Sequence, residues 1–467
     1  MSRDEQMLSW KDVRDVWVNR NASRERIAAI QRARLQTLVA HARQNSPFYR
    51  RCYAHLPASV DDLSCLPPLS KPELMSSFDE WVTDPAVHRS DVDAFLADKT
   101  HVGQTLFGHY MAFATSGTTG HPGIFLHDVD AVAIYSLLVA LRGYVRWLGG
   151  HGLVRVLLRG NRITMIIATG GHFASTTWVT RTHALYPSLA NFTCILPVSL
   201  PMREMVQALN AARPAVLFSY PTVFNVLVEE KHAGRLRISP ELIITSAEPL
   251  AITLKHEIEA AFHCPVRESY GASEFLTVAT ACVHCDQGWM HVHDDYVILE
   301  PVDANYRPVA PGERSHTVLL TNLINHVQPI IRYDLGDAVT VKPTPCPCGS
   351  AFSAIQVEGR SDDVLYLRSK SGETVPLLPR ALAGLLEQIV GLKQFQLMQT
   401  GASELTLRLE AQMGANPDAV WRSAEAGLRA FLAAHGLSSA TLARSADPPM
   451  RDPKSGKFRE VWRIAQV

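Results

Sequence analysis

The chain is 467 residues long, 47% apolar and 19% charged. At about 150 residues per domain it has room for roughly three structural units and a core that needs no covalent staples. Lys plus Arg is 45 and Asp plus Glu is 45, a zero formal charge that argues against a strongly basic nucleic-acid surface or a polybasic membrane patch.

The first ninety residues read as helical and then looped. Ile27, Ile30, Leu35 and Leu38 fall on one side of a 3.6-residue wheel. Pro57 and Pro67-Pro68 punctuate the looped part. No apolar run is expected to span a membrane, because Arg142 and Arg146 interrupt the best candidate, residues 131–150. From about residue 153 the pattern alternates between strand and helix. Short apolar strands are expected at 154–158, 164–168, 192–196, 215–218 and 242–245, with helices at 202–212, 223–233 and 252–262. Such alternation predicts an α/β fold with a mainly parallel sheet. Residues 300–341 carry apolar runs among Pro and Gly turns and read as a β-rich subdomain. A small α+β unit is expected from about Gly359. It has a strand at 364–367, a helix at 381–390, strands at 395–398 and 405–409, and a helix at 419–434. The expected domains are 1–360 and 361–467.

Thr115-Ser116-Gly117-Thr118-Thr119-Gly120-His121-Pro122-Gly123 is the most informative stretch. Glycines let a backbone approach an anion closely, and N–H groups with hydroxyls donate to phosphate oxygens. Polar turns share this composition, and the stretch is not a P-loop of the G-x-x-x-x-G-K-[ST] type. Further motifs come in order: Ser269-Tyr270-Gly271-Ala272-Ser273-Glu274, Ile331-Arg332-Tyr333-Asp334-Leu335-Gly336-Asp337, Glu358-Gly359-Arg360-Ser361-Asp362-Asp363, and Pro453-Lys454-Ser455-Gly456-Lys457-Phe458-Arg459.

In this order the motifs resemble the adenylate-forming superfamily, and within it the phenylacetate–CoA ligase branch. Ser46-Pro47-Phe48-Tyr49 and Leu66-Pro67-Pro68-Leu69-Ser70-Lys71 are also similar to that branch. Many superfamily members place a Lys where Gly123 stands here. The branch tends to lack it too.

The resemblance implies a large N-terminal adenylation domain and a small mobile C-terminal lid. Ser116, Gly117, Thr118, Thr119 and Gly120 would hold the ATP phosphates, and Glu274 would help bind Mg²⁺. Ala247, Glu248 and Pro249 would line adenine together with Ser269, Tyr270 and Gly271. Asp337 would accept from the ribose hydroxyls, and Arg360 would face the nucleotide. Asp362 would be the hinge. Lys457 would be the adenylation lysine, and with Glu274 and Thr119 it makes up the expected catalytic set. Phe173, Tyr220, Ser246 and Gly271 are the expected lining of the acid pocket.

Cys282, Cys285, Cys346 and Cys348 form two close pairs, with His291 near the first. Thiolates and imidazole at this spacing point to a structural zinc bound by four of these five residues. Cys52, Cys65, Cys194 and Cys264 are scattered and read as packing residues. Eight cysteines in this length are no disulfide scaffold, and Met1-Ser2-Arg3-Asp4-Glu5 is no signal peptide, so the expected compartment is the cytoplasm.

The expected function is ATP-dependent activation of a carboxylic acid as acyl-AMP. The acyl group then passes to coenzyme A or to a carrier protein's phosphopantetheine. The branch resemblance favours an aromatic acid of benzoate, hydroxybenzoate or phenylacetate type. The alternatives are transfer to an amine and a non-catalytic nucleotide-binding scaffold. No nucleic-acid partner is expected, and the chain is expected to be a monomer or homodimer.

Overall fold

The computed structural model describes residues 9–57, 60, 62–114, 123–284, 288–358, 363–450 and 459–464. Helices Trp10–Asn19, Arg24–Asn45 and Pro47–Cys52 open the chain, the last two capped by the hydroxyls of Ser23 and Ser46. Ile27, Leu35 and Leu38 are buried, and Ile30 is half-buried at the margin of that face. Strands β1 (Tyr110–Ala114) and β2 (Ile124–Asp128) pair antiparallel, with Ala114 opposite Ile124.

The centre of the fold is a nine-stranded sheet. It takes β3 (Ile163–Ile167), β4 (Thr193–Pro197), β5 (Val216–Ser219), β6 (Leu242–Ser246), β7 (Val266–Ala272), β8 (Phe275–Ala281) and β9 (Met290–Val292). Strands β10 (Val297–Val302), β11 (Thr317–Asn322) and β12 (Tyr333–Asp334) form a separate three-stranded sheet. Strands β13 (Ala338–Val341) and β14 (Ala354–Glu358) then return to the large one, whose order is β13-β14-β9-β8-β7-β6-β5-β3-β4. The run from β7 to β4 is parallel, and from β7 to β13 it is antiparallel. Strand–helix–strand crossovers make the first half, and hairpin-type connections the second. The result is an α/β fold with a mixed sheet and smaller sheets beside it.

The segment expected as a strand at 154–158 is helical: it ends the helix Val145–Leu158. A five-residue apolar run does not by itself separate strand from helix, and here Val154, Leu157 and Leu158 face outward. The candidate run of residues 131–150 lies within a longer helical stretch. Helical structure runs over 30 residues from Val129 to Leu158, kinked at Gly149, where φ is 59°. Among the described residues it is the one helical run long and apolar enough to cross a membrane, by length and composition only, and 44% of its most apolar window is buried inside the fold. Arg142, counted as an interruption, lies in an i→i+5 turn, Leu138–Tyr144. Its guanidinium is buried on Asp295, at 2.7 Å to each carboxylate oxygen. Cys65 is exposed and not packed; Cys264 is buried, and Cys52 and Cys194 are half-buried.

The C-terminal residues build β15 (Leu365–Arg368) with β16 (Thr374–Leu377). They also build the four-stranded sheet β19-β18-β17-β20 from β17 (Leu392–Gly401), β18 (Glu404–Ala411), β19 (Thr441–Arg444) and β20 (Val461–Arg463). Helices Pro379–Leu386 and Pro417–Ala434 cover them. One apolar cluster runs from Leu217, Val223 and Leu227 through Leu365, Leu382 and Leu428 to Val461. The C-terminal unit thus packs on the helical layer over the parallel half of the large sheet.

Candidate active site and metal centre

In a parallel α/β sheet the crevice outside the carboxyl ends of the strands is the natural ligand position. Among the described residues, positions 246–249, 269–271 and 274 lie at the carboxyl ends of β6 and β7 and in the turns that follow them. Strand β7 carries Ser269, Tyr270 and Gly271 and reverses through Ser273-Glu274 into β8. Gly271 is required by this hairpin: a Cβ there would collide with the Leu276 carbonyl.

The turn is held from beneath. Ser273 O accepts from His127 Nε2 at 2.8 Å, and Glu274 O accepts from Asn322 Nδ2 at 2.9 Å. The same amide nitrogen donates to the Tyr135 hydroxyl at 2.8 Å. That hydroxyl therefore donates to His127 Nδ1 at 3.0 Å. Burial lowers the His127 pKa to about 4, so the imidazole is neutral with its proton on Nε2.

The Glu274 carboxyl is buried, 5% exposed. Burial raises its pKa, while Lys71 and the Tyr333 hydroxyl that donates to it oppose the rise. Tyr270 donates its hydroxyl to Asp337 Oδ2 at 2.8 Å. Glu274, Tyr270, Tyr333 and Asp337 form one cluster of two carboxylates and two phenols. Its carboxyl and phenol oxygens fit a divalent cation, a hard ion that prefers oxygen ligands.

Next along the crevice, Ser246 Oγ donates to Ser269 O at 2.6 Å. Ala247 has φ of 68°. Both oxygens of Glu248 accept from Thr222, one from its N–H and one from its hydroxyl, each at 3.0 Å. Pro249 comes next in the same loop. Tyr220 is buried, and its hydroxyl accepts from Ala168 N at 2.9 Å. Phe173 stands at the start of the helix Ala174–Leu185, with the Arg380 guanidinium 5.5 Å from its ring centre. Arg380 comes from the C-terminal unit and is paired with Glu387 at 2.9 and 3.0 Å. Tyr220 and Glu460 also act on its charge.

Ser116, Gly117, Thr118, Thr119, Gly120, Cys285, Arg360, Asp362 and Lys457 lie outside the described residues. The anchors of the phosphate stretch are described: Ala114 closes β1 opposite Ile124, and Ala114 N donates to His172 O at 3.1 Å. Sequence reasoning gave no role to Tyr333, Thr222 or Arg380. Tyr333 was inside a quoted motif; Thr222 and Arg380 had no signal beyond their chemistry, because their partners are distant in sequence.

The sulfur atoms of Cys282, Cys346 and Cys348 and a ring nitrogen of His291 all lie within 4.8 Å of one another. Cys282 and Cys346 sulfurs are 3.6 Å apart, close to the ~3.8 Å expected between two thiolates bound at about 2.3 Å to a tetrahedral zinc. His291 Nε2 is 3.2 Å from Cys348 Sγ, and its Nδ1 is 3.3 Å from the Phe352 carbonyl. A ligating imidazole is oriented by such a second contact. Backbone N–H groups of His284 and Ser350 point at Cys282 and Cys348 sulfur, each at 3.4 Å. The set fits a closed four-coordinate zinc.

Comparison with known proteins shows the family. A family model described as AMP-binding enzyme matches residues 14–313. A phenylacetate-coenzyme A ligase of Thermus thermophilus is 26% identical over 360 residues, covering 74% of this chain and 73% of that protein. One from Pseudomonas putida is 24% identical over 388 residues, covering 81% of this chain and 78% of its own length. Among solved structures, a 2-hydroxyisobutyryl-CoA ligase with 2-HIB-AMP and CoA shares the fold, at a TM-score of 0.58 and 20% identity, over 99% of this chain and 95% of that one. The family model spans well over half of the sequence, and the chain belongs to the AMP-binding enzyme family.

Proposed function

We propose that the acid activated by this AMP-binding enzyme is aromatic. The chain is an AMP-forming acid–thiol ligase. It uses ATP to convert a carboxylic acid to its acyl adenylate and passes the acyl group to the thiol of coenzyme A. In the first step a carboxylate oxygen bonds to the α-phosphorus as pyrophosphate leaves. In the second the thiolate sulfur bonds to the acyl carbon as AMP leaves. Both steps depend on alignment and on offsetting negative charge.

The observation that carries the assignment of roles is the cluster at the carboxyl end of β7. Tyr270 is bonded to Asp337 at 2.8 Å, beside the buried Glu274 carboxyl. In this reading Asp337 takes the ribose hydroxyls, and Tyr270 with the 247–249 loop faces adenine. Glu274 would hold Mg²⁺, which when bound offsets phosphate charge. Ser116 to Gly120 would hold the phosphates, with Arg360 at the nucleotide. Lys457, carried on a lid that pivots at Asp362, would complete the adenylation site. Zinc at Cys282, His291, Cys346 and Cys348 would be structural, since a closed set of four leaves no open position.

Phe173 and Tyr220 support an aromatic acid, because they supply apolar faces at the ends of β3 and β5. Arg380, whose guanidinium is 5.5 Å from the Phe173 ring centre, is engaged by Glu387, so the wall suits a neutral ring. The named activity of the phenylacetate ligases points the same way.

The test is acid-dependent ATP–pyrophosphate exchange across aromatic, aliphatic and amino acids, followed by thioester assays with coenzyme A and with a loaded carrier protein. Exchange with arylacetic or benzoic acids is expected. Exchange confined to aliphatic or amino acids would overturn the aromatic assignment.

A further inference from the structure

Strand β6 ends at Ser246, and Ala247 turns with φ of 68°. That left-handed conformation brings an alanine's Cβ close to the carbonyl oxygen that follows, so something in the surrounding structure must hold it. The next residue does. Glu248 Oε2 accepts the Thr222 N–H, and Oε1 accepts the Thr222 hydroxyl, each at 3.0 Å. Thr222 is the second residue of the helix Pro221–His232. Its N–H is one of the first-turn donors that the helix leaves unsatisfied, and Pro221 before it has none to offer. The helix N-terminus also favours the negative charge.

The clamp joins two parts of the crevice. On one side is the loop 247–249. On the other is the β5–helix junction, where Tyr220 stands two residues before Thr222, fixed to Ala168 N at the end of β3. We infer that Glu248 is a positioning residue that sets the distance between the nucleotide side and the acid side of the site through Thr222. This inference rests on the acid–thiol ligase reading for its readout. It adds to the loop's place at adenine a second task for Glu248, since each carboxylate oxygen accepts from Thr222. Misalignment by about 1 Å between acid and α-phosphorus can cost about a hundredfold in rate.

The variants that test it are Glu248→Gln, Glu248→Ala, Thr222→Val and Ala247→Gly in the Glu248→Ala background. A glutamine reproduces the clamp, with its oxygen accepting from Thr222 N and its amide donating to Thr222 Oγ1. Glu248→Gln should keep at least about fivefold more of the parent's exchange rate at saturating substrates than Glu248→Ala does. Glu248→Ala should lose about 10- to 100-fold in kcat, with smaller changes in either KM. Thr222→Val, which keeps the N–H, should fall between. Glycine at 247 removes the opposing strain and should restore about fivefold.

Equal loss in Glu248→Gln and Glu248→Ala would overturn the inference in favour of a direct charge contact. An active Glu248→Ala would show the clamp to be idle. Calorimetric ATP affinity is measured on the same proteins and keeps the two claims apart. A parent that binds ATP yet exchanges with no acid counts against the ligase reading. In that case the inference stands or falls on whether ATP affinity drops in Glu248→Ala and returns in Glu248→Gln.

Discussion

The Tyr270 hydroxyl donates to Asp337 Oδ2 at 2.8 Å, tying strand β7 to the loop that enters β13. The contact orients a carboxylate whose proposed partner is ribose. Tyr270→Phe keeps the ring and removes the donor. A hydrogen bond to a charged group contributes about 1.5 kcal/mol or more, which is about tenfold in affinity. We expect the KM for ATP to rise by about that factor, with the KM for acid and the melting temperature little changed. A fall in kcat at constant ATP KM would count against Asp337 as the ribose acceptor.

Much of this site was legible in the sequence because its parts are local. Tyr270, Gly271 and Glu274 sit in one hairpin, and Ala247 and Glu248 in one turn, so a short motif carries each. The helices at 202–212 and 252–262 were legible for the same reason, as their apolar spacing has one reading. The hidden parts depend on long-range partners. Arg142 reads as a charge that interrupts an apolar run until Asp295, far along the chain, is placed against it. Residues 154–158 read as a strand because a short run of Val and Leu fits either period. The Thr222 clamp and the approach of Arg380 to Phe173 have no sequence signal at all.

The thiol and imidazole cluster predicts one zinc per chain. Burial and neighbouring thiols push the Cys282 thiol well up from its ordinary value, so the metal must displace protons and its affinity should weaken as pH falls. Cys346→Ser and His291→Ala should each lose the metal in elemental analysis and lower the melting temperature. Chelation of the parent should do the same. The cluster joins β9 to the loop before β14, so the loss should appear as stability first and activity second. Full metal content in Cys346→Ser would remove that residue from the ligand set.

Arg142 and Asp295 form a pair whose side chains are 4% and 0% exposed. Removing one partner of a buried pair leaves an uncompensated charge and costs about 3–5 kcal/mol. Asp295→Asn should therefore lower the urea midpoint strongly. The double change Arg142→Met with Asp295→Leu should recover much of the loss, because well-packed apolar replacements are often neutral. The pair also explains how the Arg142 charge is accommodated within the Val129–Leu158 run. If Asp295→Asn unfolds like the parent, the guanidinium finds other partners and the pair is dispensable.

Glu268 lies on β7 two residues before Tyr270, and burial raises its pKa to about 7. The Leu250 N–H, 3.4 Å from Oε1, and the Lys255 charge oppose that rise without cancelling it. In the folded chain Glu268 keeps its proton between about pH 4.5, the ordinary glutamate value, and pH 7. The unfolded chain releases it in that window. The folded state therefore binds more protons there, and stability falls as pH rises. Above pH 7 the penalty levels off, on the order of 3 kcal/mol. Glu268→Gln keeps the shape and cannot ionise. Its melting temperature should match the parent at pH 5 and exceed it by a few degrees at pH 8. A constant difference between the two proteins from pH 5 to pH 8 would mean that Glu268 titrates near its ordinary value, and that Lys255 compensates its burial.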